Sequence, residues 1–390
     1  MQAIHLSHKL IWKELQMLGC SSTDADQFIR HNLNYFFKLR GIPEPAMPFL
    51  KKEALAHLTG AVFSHETGRT GPGAEAVISG SESELTALGH ALIAQGGAAA
   101  VVGQILQDSL SKLYLQLPQG LKLGEHLLPL GKRTLVMGIL NVTPDSFSDG
   151  GRFSQLEEAL TQGYKLAKEG ADILDIGGES TRPGSQQVPA EVELKRIMPV
   201  IAALKKDRSF KIPLSVDTYK AEVAEKALAA GVEMLNDVWG FKENATIGQV
   251  VSRYRVPVCL MHNRRSTDYN DLIPDILEEL EESIELAHRA GIDDSHIIID
   301  PGIGFGKTLE QNLDVMLHLQ EIRNLGYPLL LGTSRKSMIG KTLALPAEER
   351  LEGTAATIAY GISAGADIIR VHDVLQMRRV AVMTDAMIRR

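Results

Sequence analysis

From residue 131 onward the chain alternates between two patterns. Short runs rich in Val, Ile and Leu occur at Thr134–Val142, Ala171–Gly178, Ile212–Thr218, Glu233–Val238, Val256–His262, His296–Pro301, Pro328–Thr333 and Ala366–Asp373. Runs that are apolar throughout suit strands covered on both faces, since neither face meets water. Between them lie stretches such as Gln155–Glu169, Ala190–Leu204, Ala221–Ala230 and Ile273–Ala290. These repeat apolar residues at helical spacing and carry charge on the outer face. Eight β/α units between residues 131 and 390 match the usual size of a (β/α)8 TIM barrel. A doubly wound sheet is the alternative architecture. The lack of an obvious switch point favours closure.

The first third reads differently. His5–Leu18 and Asp24–Leu39 have the spacing of amphipathic helices, with Ser22 and Thr23 available as caps. Pro43, Pro45 and Pro48 then mark a loop, and Gly68, Gly71 and Gly73 a second one. A short strand is expected at Ala74–Ser79, followed by a helix at Ser81–Gln95, and Gln116–Leu130 reads as a linker. The chain is therefore an α/β protein of two parts: a small α+β domain over residues 1–125 and a barrel over 131–390. His65, Glu66 and Arg69 lie close together in the first part, where a solvated loop accounts for them.

Composition narrows the partners. The 390 residues are 44% hydrophobic, ample for a large core, and the net charge is -7. An acidic balance argues against nucleic acid, and no apolar run approaches the ~18 residues of a membrane span. The start lacks the basic and apolar segments of a signal peptide. A cytoplasmic protein is the expectation. The 2 cysteines, Cys20 and Cys259, have no metal-ligand spacing and read as reduced thiols, Cys259 in the barrel core.

The candidate chemistry lies where the strands end, because barrels of this kind build their sites there. The first strand runs into Asn141-Val142-Thr143-Pro144-Asp145-Ser146-Phe147-Ser148-Asp149-Gly150-Gly151, denser in polar groups than a connection needs. The second ends in Gly177-Gly178-Glu179-Ser180-Thr181-Arg182-Pro183-Gly184, the third in Asp217-Thr218 and the fourth in Asn236-Asp237. The fifth ends in His262-Asn263-Arg264-Arg265, the sixth in Asp300, the seventh in Ser334-Arg335-Lys336-Ser337 and the eighth in Arg370, His372 and Asp373. One such group is readily a helix cap or a structural ion pair. A polar group at all eight ends is more than a scaffold needs. Asp217, Asn236 and Asp300 are acceptors suited to a heterocycle edge with N–H donors. Lys336, Arg370 and His372 follow the last two strands, where barrels often hold phosphate. The run Gly302–Thr308 has the glycines and lysine of a nucleotide P-loop, but Pro301 stands at the first glycine, so the motif fails. Gly340-Lys341-Thr342 fails likewise, with Arg335 at that position.

Taken in order, Asn141–Gly151, Gly177–Gly184, Ser215–Thr218, Leu235–Val238, Asp300–Lys307, Gly332–Ser337 and Arg370–Asp373 resemble the dihydropteroate synthases, the folate-pathway family that sulfonamides inhibit. The resemblance spans nearly the whole barrel. It implies a transferase that joins 6-hydroxymethyl-7,8-dihydropterin diphosphate to para-aminobenzoate, releasing diphosphate by a dissociative path assisted by Mg²⁺. No enzyme nucleophile is implied, in keeping with the lack of a nucleophile–base pair in the sequence. By motif, Asp300 would grip the pterin, Asn236 and Asp217 would flank it, and Lys336 would donate to its carbonyl side. Asn141, Arg370 and His372 would hold the diphosphate, Asn141 also through the metal. Phe147, Thr181, Arg182, Pro183 and Ser337 would shape the aminobenzoate slot, with Phe305 among the substrate contacts. A homodimer is the implied assembly. The first 125 residues depart from the family's common form, and the basic loop after the fifth strand belongs to only part of it. A methyltetrahydrofolate-dependent methyltransferase and a pterin-binding protein without turnover are the rival readings. Neither would need a diphosphate site.

Overall fold

The computed structural model describes residues 33–64, 73–112, 120–143, 152–179 and 187–389, with a few single positions before residue 25. Phe147, Thr181, Arg182 and Pro183 lie outside the described residues, as do His65, Glu66, Arg69 and most of the first expected helix. The chain divides into two compact units, Met1–Leu115 and Gln116–Arg390.

The first unit holds β1 (Asn34–Ile42), β2 (Gly60–Phe63) and β3 (Ala74–Ser81), an antiparallel sheet in the order β1-β3-β2. Helices Met47–His57, Glu82–Gln95 and Gly97–Lys112 accompany it, with Ile42, Leu50, Ile78, Leu85, Leu88 and Leu106 in its core. The helix expected over Asp24–Leu39 is overturned in its last part, because Asn34–Leu39 is strand. Tyr35, Phe37 and Leu39 alternate against the core, and Phe37 and Leu39 pair with Ile78 and Ala76. Such aromatic, alternating residues take the strand once a partner strand is present. The prolines read as a loop instead start helices: Pro43 precedes Glu44–Ala46, and Pro45 and Pro48 sit in the first turns of Glu44–Ala46 and Met47–His57, where a missing N–H costs nothing. Ser81 caps the next helix in a reciprocal box with Glu84.

The second unit opens with a hairpin, β4 (Gly120–Leu123) and β5 (His126–Pro129), where the sequence suggested a linker. Eight parallel strands follow: β6 (Leu135–Asn141), β7 (Ile173–Gly177), β8 (Leu214–Asp217), β9 (Met234–Asp237), β10 (Val258–Met261), β11 (Ile297–Asp300), β12 (Leu330–Leu331) and β13 (Ile368–Val371). Their order is β11-β10-β9-β8-β7-β6-β13-β12. A parallel bridge from Ile299 to Leu329 joins the two ends, so the sheet closes into the expected (β/α)8 barrel.

Alternation along these strands sorts residues into two cores. Val136, Leu174, Val216, Leu235, Leu260 and Ile299 face outward into the layer under the helices. Leu135, Met137, Ile173, Met234, Cys259, Ile298, Leu330 and Ile368 face inward, together with Leu121 and Leu123 of the hairpin. The interior is thus a plug of side chains, and the hairpin adds two leucines to it. On β7, β8, β9, β11 and β13 the inward positions further up the strand are charged or amide residues, and the site begins there.

Candidate functional site

Continuing the inward alternation past the apolar plug gives Asp175 on β7, Asp217 on β8, Asn236 on β9, Asp300 on β11 and Arg370 on β13. Asp175, Asp217, Asn236 and Asp300 are all buried. Arg370 crosses the barrel to the acids opposite. Its Nε donates to Asp175 Oδ2 at 2.6 Å and its Nη2 to Asp217 Oδ2 at 2.7 Å. Asn236 Nδ2 donates to the same Asp175 oxygen at 3.1 Å.

Burial and charge oppose one another in this layer. Burial raises the Asp217 pKa to about 7, Arg370 opposing and Asp175 adding to the rise. Burial raises Asp300 as well, against the pull of Lys336. Burial lowers Lys336 to about 8, with Asp300 opposing. Arg370 is held firmly charged, because the carboxylates around it outweigh its own desolvation. Titratable groups driven toward neutrality from both sides mark a site built for a ligand.

The loop after β11 shapes one wall. Asp300 Oδ1 accepts from the Gly302 N–H at 2.7 Å. Gly302 has φ +67°, and a Cβ there would stand 1.8 Å from the His262 carbonyl oxygen, so only glycine fits. Lys307 turns back into its own loop, its Nζ reaching Gly302 O at 3.0 Å, Phe305 O at 3.1 Å and His262 Nδ1 at 2.8 Å. Burial lowers the Lys307 pKa to about 7 and that of His262 to about 4. A neutral His262 can then accept from the ammonium. Lys336 donates to Ile303 O, and its Nζ lies 4.4 Å from the centre of the Phe305 ring.

At the mouth, Ser334 Oγ meets His372 Nδ1 at 3.0 Å and accepts from the His372 backbone N–H at 3.2 Å. Arg335 pairs with Asp373, anchoring the loop after β12 to that after β13. Ser337 is exposed and opens helix Ser337–Leu343. Asn141 ends β6, and Gly177 beside it leaves a hollow. The point a Cβ would occupy is 3.6 Å from Asn141 Oδ1 and 3.8 Å from Asp217 Oδ2. Of these two oxygens, Asp217 Oδ2 is taken by Arg370, and Asn141 Oδ1 faces the gap beside Gly177.

Known proteins share this architecture and sequence. A family model described as pterin binding enzyme matches residues 137–372. The dihydropteroate synthase of Clostridium beijerinckii is 55% identical over 271 residues, 69% of this chain and 100% of that protein. The chain belongs to the dihydropteroate synthase family of pterin binding enzymes. A crystal structure of the Clostridium difficile family member, obtained in the presence of pteroic acid, aligns with TM-score 0.65 and 51% identity, covering 67% of this chain and 99% of that one. The Xanthomonas albilineans member with 4-aminobenzoic acid aligns with TM-score 0.66 and 43% identity, covering 69% and 98%.

Within that family fold, the residues singled out from the sequence fall into two groups. Asp217, Asn236, Asp300, Lys336 and Arg370 converge on the barrel centre, and the Phe305 ring lies against Lys336. Asn141, His372 and Ser337 ring its mouth. The loop His262–Arg265, for which solvation was the simplest account, is in large part buried structure. His262 is fully buried and lies 3.4 Å from Glu279. Arg264 pairs with Glu279 and lies over the Tyr269 ring at 4.3 Å. Arg265 alone reaches outward, to Glu243. Three groups escaped the sequence reading. Asp175 stands inside an apolar strand run, and that isolation was its signal. Lys307 was set aside with the failed P-loop. Lys220 bridges Glu179 and the buried Glu193, tying the loop after β7 to that after β8, and no spacing announced it.

Proposed function

We propose that the chain acts as a dihydropteroate synthase at this one layer. It condenses 6-hydroxymethyl-7,8-dihydropterin diphosphate with para-aminobenzoate and releases diphosphate. The observation carrying the reading is the division of the barrel centre. Buried acceptors Asp217, Asn236 and Asp300 stand on β8, β9 and β11, and the cations Lys336 and Arg370 come from the ends of β12 and β13. A pterin's amino and ring N–H groups match the acceptors, and Lys336 meets its carbonyl side. Asp300 gives the charge-assisted contact, since Gly302 occupies only one of its oxygens.

Arg370 commits Nε and Nη2 to carboxylates, so Nη1 is the part of its fork left to meet a phosphate oxygen. His372 stands beside it at the mouth. The two stabilise charge as it builds on departing diphosphate, and the dihydropterin carries the developing positive charge. The aniline nitrogen then attacks the exocyclic carbon. Catalysis lies in positioning and in electrostatic preorganisation. Phe147, Thr181, Arg182, Pro183 and Ser337 form the aminobenzoate slot in this reading.

Among the described residues no group of three His, Cys, Asp or Glu side chains could hold a metal ion. Asn141 Oδ1, which faces the side of Gly177 that carries no Cβ, is a hard oxygen of the kind Mg²⁺ takes, with diphosphate and water supplying the other ligands. Asn141 would hold the ion, and when bound it supplies charge neutralisation at the leaving group.

The chain works as a cytoplasmic homodimer in this reading. No helix among the described residues is long and apolar enough to cross a membrane. The neighbouring helices Leu351–Ser363 and Val374–Ile388 expose Tyr360, Val382, Met383 and Met387, a face suited to a second copy. Light scattering giving a monomer mass would remove the dimer. The activity is tested by diphosphate release. Release that requires both substrates supports it. Methyl transfer, or pterin binding without release, supports one of the rivals.

A further inference from the structure

Asp175 is fully buried and sits one inward position deeper than the ligand layer. It pairs in register with Ser215 of β8, whereas Gly177, two residues on, pairs with Asp217. The pterin reading gives it no contact. Yet a single oxygen of Asp175 accepts from two groups that do face the ligand, Asn236 Nδ2 at 3.1 Å and Arg370 Nε at 2.6 Å. An ion-paired carboxylate has only acceptors to offer. The Asn236 amide must therefore turn its NH₂ down to Asp175, which leaves its Oδ1 for the ligand. The same oxygen fixes one edge of the Arg370 guanidinium, and Asp217 fixes a second. A fork held at two points has one orientation.

We propose that Asp175 is a positioning residue for the pterin end of the site. It sets the polarity of the Asn236 amide so that a ligand N–H meets an acceptor, and it orients Arg370 without touching substrate. The inference rests on the pterin reading above. A buried Asp that served only to neutralise Arg370 would have the same burial but no say in the polarity of Asn236. The two roles therefore separate in an exchange of groups between positions 175 and 236.

Calorimetry with a diphosphate-free pterin, on folded full-length protein, reads the difference. In Asp175→Asn, the amide now at position 175 can donate to Asn236 Oδ1 and turn the Asn236 NH₂ toward the ligand. Pterin affinity should fall at least roughly tenfold, as a donor faces a donor. The KM for the pterin substrate should rise, and that for aminobenzoate should hold. The exchange D175N/N236D puts an acceptor-only group at position 236 and a donor beneath it. Affinity should then return to within about threefold of wild type, a recovery that no loss of a mere ion pair predicts. If D175N does not fold, N236D alone replaces it, two carboxylates then meeting face to face, and it should bind more weakly than the exchange. D175N binding as wild type, or the exchange binding no better than either single variant, overturns the proposal and leaves the pterin reading standing. A wild-type protein that binds no pterin overturns both.

Discussion

At the residue scale, the buried carboxylates carry the clearest expectations. Asp300→Ala removes the charged acceptor for a ligand's N–H donors. The expected loss of pterin affinity is roughly 2–4 kcal/mol, from the unpaired donors and the lost charge-assisted bond. Unchanged affinity by calorimetry would remove Asp300 from the site. Arg370 and His372 behave differently from one another. Truncating Arg370 leaves Asp175 and Asp217 buried without their partner, at about 3–5 kcal/mol of fold stability, and it disturbs the pterin end too. His372→Ala is the cleaner probe, since it leaves the Arg370 ion pairs with Asp175 and Asp217 in place. It should weaken diphosphate binding and slow turnover, with pterin affinity nearly kept. A loss of pterin affinity with diphosphate affinity intact would reverse the orientation of the pocket.

The same groups set the pH dependence. Asp217, raised to about 7 by burial, accepts well only when ionised, so pterin affinity should climb as pH rises through 7. Lys336, lowered to about 8 by burial, donates only when protonated, so affinity should fall above 8. A bell between these limbs is expected, and Lys336→Arg should move the alkaline limb upward. An alkaline limb that stays put would assign it to another group. The raised Asp217 also acts on the free fold. Its contribution to stability is present below pH about 4 and is lost as pH rises through about 7.

At the scale of elements, the loop from Asp300 to Lys307 shows how a site is braced. Its glycine at position 302 lies against the end of β10, and Lys307 fills the inside of the turn. Gly302→Ala would drive a Cβ into the His262 carbonyl and strain a positive φ. The expected cost is at least about 2 kcal/mol in unfolding free energy, with weaker pterin binding because Asp300 loses its backbone brace. An unshifted melting curve would mean that the loop can relax at no cost. The hairpin β4–β5 is a second brace. Its Leu121 and Leu123 are buried with the inward side chains of seven barrel strands.

At the scale of the whole molecule, the second unit contains every described candidate site group and its own core, so the expectation is that chemistry resides there. A chain starting at Gln116 should fold and keep turnover. One starting at Gly131 lacks the hairpin and should melt lower. Burial of three leucines, Leu121, Leu123 and Leu130, sets an upper bound of roughly 5–9 kcal/mol on that loss. Equal melting temperatures for the two chains would show that the hairpin adds nothing. A folded chain from Gln116 that binds pterin but does not turn over would show that the first unit contributes to catalysis.

What the sequence determined by itself was the barrel and most of the charged and amide groups that line its centre. Eight apolar runs left little choice of fold, because period-2 strands wrapped in helices bury both faces. The strand-end residues Asp217, Asn236, Asp300, Lys336 and Arg370 stood out as polar groups where apolar runs stop. Other features were decided only in three dimensions. Asn34–Leu39 carries apolar residues that suit a helix as well as a strand, and β3 settled the matter by pairing with it. The hairpin at 120–129 is too short to declare itself without the barrel it packs against. Asp175 went unmarked in the sequence, and only closure brought Arg370 to it from β13, 195 positions away. Lys220 likewise gains Glu179, and Lys307 gains His262, only when neighbouring segments meet. Local pattern fixes which residues face inward, since that depends on spacing along one chain segment. Which inward groups then share a proton or a charge depends on closure, and spacing along the chain carries no record of it.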